Sequence, residues 1–177
     1  MSDRPMTRRG VLAGLLAAPA LAQRPVLAGL EKLGEFGVHE GPAWHFELGL
    51  LCTGSGKIFR YAKDGKVSVH REQAGRPNGL LVDPQGRLIV CEQGERRVTR
   101  TEKDGSITVL ADRYQGARFN SPNDLTIDSK ARIYFSDPRY GPREGMELKE
   151  GVYRIDAPGA VQLVLQQEVD RPNGVLV

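Results

Sequence analysis

The sequence predicts an all-β fold made of repeated four-stranded units, on three observations. Gly and Pro are numerous, 21 and 11 of 177 residues, and scattered, as many short strands separated by turns require. A Pro-Asn element recurs as Arg76-Pro77-Asn78-Gly79-Leu80, Ser121-Pro122-Asn123-Asp124-Leu125 and Arg171-Pro172-Asn173-Gly174-Val175, its asparagines 45 and 50 residues apart. No run of helical period stands out beyond the apolar stretch near the amino terminus. A period of about 40–50 residues holding four strands is the size of one β-propeller blade.

The amino-terminal element is an address. Residues 7–22 run from Thr-Arg-Arg through a short apolar stretch to Ala20-Leu21-Ala22, the order of a bacterial signal peptide, with cleavage expected after Ala22. Arg8-Arg9 followed by Gly10, Val11 and Leu12 resembles the twin-arginine export motif, which a receptor reads and which is not an anchor. The apolar run is too short to span a hydrocarbon layer of about 30 Å, so no permanent membrane anchor is expected. The expectation is a periplasmic or secreted protein, with a signal peptide over 1–22 and a partial β-propeller over 23–177.

Composition excludes several classes. With 40% hydrophobic and 27% charged residues and two Cys, the chain is neither disordered nor a disulfide scaffold. The formal charge of +3 is concentrated at the amino terminus; without residues 1–22 the balance is 22 basic against 21 acidic side chains, a net of +1. Arg96, Arg97, Arg100 and Lys103 are interleaved with Glu95 and Glu102, with no aromatic ladder, so no nucleic-acid partner is expected.

The body reads as repeats in order. Each Pro-Asn element is taken as a turn, and the first two lead into paired strands around a polar turn: Leu80-Leu81-Val82 to Leu88-Ile89-Val90, and Leu125-Thr126-Ile127 to Ile133-Tyr134-Phe135. Further strands begin at Ile58-Phe59-Arg60, Val98-Thr99-Arg100 and Val152-Tyr153-Arg154. Asp64-Gly65 and Asp104-Gly105 predict tight type I′ hairpins, whose two central residues both need positive φ; Ala157-Pro158-Gly159 is a looser turn for the same purpose. Residues 25–177 hold about three and a half periods, whereas closed propellers use about four to eight blades. Two expectations follow: truncation, which Leu176-Val177 as an uncapped apolar strand favours, or closure by self-association through the open blade edge. Cys52 and Cys91 occupy similar places in successive strands; burial as small apolar residues is the favoured reading, and a bridge is chemically allowed after export.

Five ordered blocks carry a resemblance: Glu40-Gly41-Pro42-Ala43-Trp44, Arg76-Pro77-Asn78-Gly79-Leu80, residues 119–125 (Phe119 to Leu125), residues 134–141 (Tyr134 to Gly141), and Arg171-Pro172-Asn173-Gly174. Together they resemble the SMP-30/gluconolactonase/LRE-like family, over about the first half to two-thirds of a member. The resemblance implies a six-bladed propeller, here an incomplete array of about three to four blades, whose channel holds one divalent metal. That metal is calcium first, with zinc and manganese as alternatives, and many members hydrolyse sugar lactones. It further implies that Glu40, Asn123 and Asn173 hold the metal and that Asn123 also touches substrate. The family's general base, an aspartate of a later blade, would lie beyond Val177.

The residue types suit that chemistry. A hard divalent cation takes carboxylate and amide oxygens, so one Glu and two Asn from separate blades make a partly hydrated site. The three His and two Cys show no zinc-type spacing. Asn in a Pro-Asn-Gly turn is also commonly present because it tolerates the left-handed conformation, and Asn78 is assigned that role. Asp124 is either an orienting residue or a turn residue; Trp44 is expected to help enclose Glu40. Tyr140 and Arg143, in the loop 138–145, either reach over the channel mouth to substrate or belong to a mobile surface loop. Ser121 stands where some family members have an arginine. The function expected is metal-dependent lactone hydrolysis, impaired in this chain alone; the alternatives are a non-enzymatic propeller module that binds a ligand and a fragment without function.

Overall fold

The computed structural model describes residues 32–177, with one compact unit over Leu33–Val177. The expected signal peptide lies outside the described residues. Among those residues every regular element is a strand, and no helix is long and apolar enough to cross a membrane.

Three four-stranded antiparallel sheets follow one another, each a meander in chain order. Blade 1 is β1 (Glu40–His45), β2 (Gly49–Gly54), β3 (Lys57–Tyr61) and β4 (Val67–Arg71). Blade 2 is β5 (Pro77–Val82), β6 (Leu88–Glu92), β7 (Arg97–Thr101) and β8 (Ile107–Ala111). A hairpin of β9 (Arg113–Tyr114) and β10 (Ala117–Arg118), which the sequence does not announce, leads to blade 3. Blade 3 is β11 (Leu125–Ile127), β12 (Ile133–Asp137), β13 (Gly151–Ala157) and β14 (Ala160–Leu165). Leu176-Val177, expected to be a strand, are irregular, as is the whole of 172–177.

Strand register decides which side chains face which neighbour. In blade 1, Leu51 and Ile58 pack with Ala43 against Leu80, Leu88 and Val90 of blade 2. In blade 2 the alternate set, Ile89, Cys91 and Val98, meets Phe135, Tyr153 and Ile155 of blade 3. Every residue of β6 is therefore buried, because each of its faces meets another sheet. Phe119 fills the seam, edge-on to Phe135 at 5.0 Å and to Tyr153 at 5.1 Å. Burying a large apolar side chain stabilises by about 1.5–3 kcal/mol, against roughly 1 kcal/mol for a single turn hydrogen bond, so these two seams dominate the hold between blades.

Polar contacts reinforce the first seam at both ends. The fully buried Glu92 carboxylate of β6 accepts from Arg71 of β4, Arg97 Nε (2.6 Å) and Thr99 Oγ1 (2.8 Å). At the other end His45 Nδ1 accepts the N–H groups of Glu47 and Leu48 (both 3.1 Å), leaving Nε2 to donate to Gly86 O at 3.0 Å. His45 is thereby spent on joining blades.

Two turn expectations and one strand expectation are corrected. The Asp-Gly hairpins are not type I′: only Gly65 and Gly105 have positive φ, both 83°. Gly65 N bonds to Ala62 O and Ala62 N to Lys66 O (both 2.9 Å), a type I turn closed by one left-handed residue. The same plan serves Asp83–Arg87 and Asp128–Arg132, with Ala131 (φ 61°) in the left-handed place that Gly86 fills in the earlier blade. Second, Pro-Asn-Gly is not a turn: Pro77 opens β5, and the left-handed residues are Arg76 (φ 52°) and Arg171 (φ 47°), not the asparagines. The role assigned to Asn78, tolerance of left-handed backbone, is therefore wrong. Third, the cysteines are not equivalent. Cys52 pairs with Phe59 and Cys91 with Val98, one register step apart, so they face opposite sides of their sheets. Both are buried free thiols; burial raises both, and for Cys91 the Asp124, Asp137 and Glu92 carboxylates push further in the same direction.

Candidate functional site

The candidate residues share one end of the array because of how each blade starts. Glu40 pairs with Thr53 and Pro77 with Glu92, so β1 and β5 begin where β2 and β6 finish. In both strands the register shifts just beyond that point, between Glu40 and Ala43 and between Pro77 and Leu80. The freed backbone turns to the next blade. Gly79 N donates to Asn123 O at 2.7 Å, and Thr53 Oγ1 donates to Asn78 O at 2.8 Å. Blade 3 repeats the device: Asn123 N donates to Ser136 O at 2.9 Å, and the Ser136 hydroxyl donates to Asn173 O.

These bonds make Glu40, Asn78, Asn123 and Asn173 structural equivalents at the start of four successive inner segments. Each precedes Gly41, Gly79, Asp124 and Gly174 respectively. The glycines are required by proximity: a Cβ on Gly41 would lie 2.1 Å from Asn78 O, and one on Gly79 would lie 2.6 Å from Asn123 O. Asp124, the one member with a side chain, accepts Val175 N through Oδ2 at 3.1 Å, which supports an orienting role over that of a turn residue.

The three expected metal ligands stand in different surroundings. Glu40 is exposed and borders an open cleft with Thr53, Ser55, Arg76, Pro77 and Gln93. Asn123 is 4% exposed, with its backbone N–H and C=O engaged by Ser136 O and Gly79 N; among the described residues the buried amide oxygen without a partner nearby is Asn120 Oδ1. Asn173 is exposed, its Nδ2 donating to Tyr140 OH at 2.9 Å. No direct contact joins the three; their common feature is position at the same end of consecutive segments. Trp44 does not enclose Glu40 as expected: it is 60% exposed, because β1 alternates and Ala43 and His45 take the buried places.

Among the described residues no three His, Cys, Asp or Glu side chains gather as for a metal. A cation here would depend on Glu40 and amide oxygens. The donor set fits a hard cation: one exposed carboxylate at Glu40, and the amide oxygens of Asn123 and Asn173.

The remaining carboxylates at this end are committed. Asp137, closing β12, is fully buried; its Oδ1 accepts Asn120 N (2.9 Å) and Ser121 N (2.7 Å). Burial pushes its carboxyl up to about 7, against the two N–H groups and the Arg96 charge. Glu150, 6% exposed, accepts Arg139 N (2.7 Å), Arg171 N (3.2 Å) and Arg143 Nη2 (3.4 Å). The loop after β12 is thus tied down, as Glu147 also accepts Arg118 N (2.9 Å) and pairs with Arg96 (3.3 Å). Arg143 is spent on Glu150 and Asp170.

Sequence reasoning passed over Ser136 and Glu150, and took Asp137-Pro138 only as the end of a strand, where β12 does end. Ser136 carries a signal in its register, since Thr53, Cys91 and Ser136 occupy the same place in successive blades. Glu150 carries none, because its partners lie 11 and 21 residues away on loops.

The SMP-30/gluconolactonase/LRE-like region matches residues 38–177. A gluconolactonase of Zymomonas mobilis subsp. mobilis is 30% identical over 159 residues, covering 77% of this chain and 44% of that protein. A gluconolactonase from Xanthomonas campestris, described as important in glucose secondary metabolic pathways, superposes with a TM-score of 0.72 at 34% identity, over 80% of this chain and 52% of its own. A second solved structure, of a putative gluconolactonase, gives a TM-score of 0.73 at 27% identity, over 81% and 54%. The chain therefore spans about half the length of the relatives it matches. With its ordered Pro-Asn segments and its meander blades, the chain belongs to the SMP-30/gluconolactonase/LRE-like family.

Proposed function

We propose that this chain forms part of a divalent-cation-dependent site for hydrolysis of a sugar lactone. Glu40, Asn123 and Asn173 hold the cation, calcium first, with zinc and manganese as alternatives. Asn123 also meets the substrate, and Tyr140 borders it. The observation that carries the reading is the place of Asn123, a residue 4% exposed at the start of an inner segment aligned with those of Glu40 and Asn173. The chemistry such a cation supplies is charge stabilisation at the carbonyl oxygen of the lactone.

The chain's own residues account for positioning, not for proton transfer. Asp137, Glu150 and Glu92 are each engaged by two or more N–H or O–H donors, and Glu40 is the expected ligand. This favours a site whose proton acceptor comes from another part of the fold, so hydrolysis by the 177 residues alone is impaired. We further propose export through the amino-terminal Arg8-Arg9 segment, and self-association through the forward face of blade 3.

Calorimetric titration of chelator-treated protein tests the reading. Calcium is expected to bind, and at a hundredfold excess over Kd to raise the melting temperature by about 5–10 °C. Asn123→Ala is expected to weaken binding about tenfold or more, as loss of a ligand should exceed loss of a supporting group. No heat and no thermal shift with calcium, zinc or manganese would remove the site. Binding of a lactone by the metal-loaded chain, without turnover even when the chain is extended to the length of its relatives, would favour a non-enzymatic module.

A further inference from the structure

We infer that Tyr140 and Glu150 are positioning residues that aim the Asn173 side-chain oxygen into the site, an inference that rests on the cation reading above. An amide side chain presents either its oxygen or its NH2 group, and only the oxygen serves a cation. Asn173 is exposed, so packing does not decide which end faces inward. Tyr140 does. Its hydroxyl lies 3.3 Å from Arg171 O, a pure acceptor, so the phenol proton points there. What the phenol oxygen offers Asn173 is a lone pair, and the 2.9 Å contact must be donated by Asn173 Nδ2. With the NH2 group held on Tyr140, Oδ1 lies on the opposite side of the amide.

Glu150 secures both ends of that contact. Its Oε1 accepts the N–H of Arg139, the residue before Tyr140, at 2.7 Å. Its Oε2 accepts the N–H of Arg171, two residues before Asn173, at 3.2 Å. Arg143 Nη2 bridges Glu150 Oε2 and Asp170 Oδ1, both at 3.4 Å, and neutralises a carboxylate that is 6% exposed. One carboxylate thereby fixes the separation of two irregular segments that share no strand pairing. The Ser136 hydroxyl, donating to Asn173 O, fixes the backbone of the same residue from the other side.

The test is calcium titration of the chelator-treated 177-residue chain and its variants, with melting temperature in chelator as the control. Tyr140→Phe removes one hydroxyl from a half-exposed ring, so the metal-free melting temperature should stay unchanged while calcium affinity falls about three- to tenfold. Glu150→Gln should weaken binding in the same direction, with some loss of melting temperature. In an Asn173→Ala background the Tyr140→Phe change should have no further effect, because it acts through that amide; additive losses would mean that Tyr140 contacts the ion or its water directly and would overturn the inference. Wild-type affinity in Tyr140→Phe, with Asn173→Ala impaired, would overturn it while leaving the cation reading intact. Absence of calcium binding by the wild-type chain would overturn both.

Discussion

A carboxyl group out of water is more stable protonated than ionised, and Asp137 is held there by its place at the end of β12. Burial raises it to about 7, while the N–H groups of Asn120 and Ser121 and the Arg96 guanidinium oppose that rise. The unfolded chain titrates near 3.9. Below about pH 4 both states carry the proton and Asp137 contributes nothing to the pH dependence. Between about pH 4 and 7 the folded state keeps a proton that the unfolded state has released, so stability falls as pH rises. Above 7 the penalty is complete, of the order of a few kcal/mol. Urea unfolding at pH 5 and pH 8 measures it: the wild type should lose stability across the interval, and Asp137→Asn, whose amide oxygen can still accept both N–H groups, should lose much less. Equal losses in the two proteins would refute the role given to this carboxyl.

Among the elements, the inner strand segments do two tasks, joining blades and presenting the candidate ligands, and Gly79 shows the coupling. It has no positive φ, so the demand for glycine is spatial: its Cβ would sit 2.6 Å from Asn123 O and 2.9 Å from Asp124 Cα, both backbone atoms. Gly79→Ala must push β11 away and weaken the bond from Gly79 N to Asn123 O. The expected cost is about 1–3 kcal/mol in chemical denaturation. Gly141→Ala, whose Cβ would meet nothing within 4 Å, should stay within about 0.5 kcal/mol. Equal effects would mean that the inner segments do not touch as described. The same segments mark how far the sequence could be read. The strand pairs and the four-strand period were legible because alternation and turn residues are local properties. Pro-Asn-Gly was misread as a turn because Asn-Gly is a turn signal in isolation, and only the neighbouring blade makes it the opening of a strand. The aligned places of Asn123 and Asn173 were legible through their recurring Pro-Asn context, whereas Glu40 lies outside that repeat and was singled out only by the family resemblance. The tie from Glu150 through Tyr140 to Asn173 was not, since it joins loops whose spacing follows no period.

At the scale of the molecule, each blade has a face toward the next and a face toward the previous one. The forward faces of blades 1 and 2 are covered by their successors, which leaves Ile58 and Val98 fully buried. The forward face of blade 3 is covered only in part: Tyr134, Val152, Val164 and Leu165 line a cleft with Val175 and Leu176, and Val164 and Leu165 are each 41% exposed. The backward face of blade 1 carries Phe59 and Tyr61, with Phe36 against both rings at 6.4 and 6.3 Å. Faces that elsewhere meet their complements are apolar and of matching pleat, so the forward face of one copy suits the backward face of another, a head-to-tail contact. The 19.5 kDa chain should therefore sediment as a species of at least twice that mass at tens of micromolar concentration. Leu165→Glu should shift it toward monomer, since a carboxylate in that seam would be desolvated without a partner. A monomer at every concentration, in wild type and variant alike, would show that the partial cover provided by residues 172–177 is enough to satisfy the face.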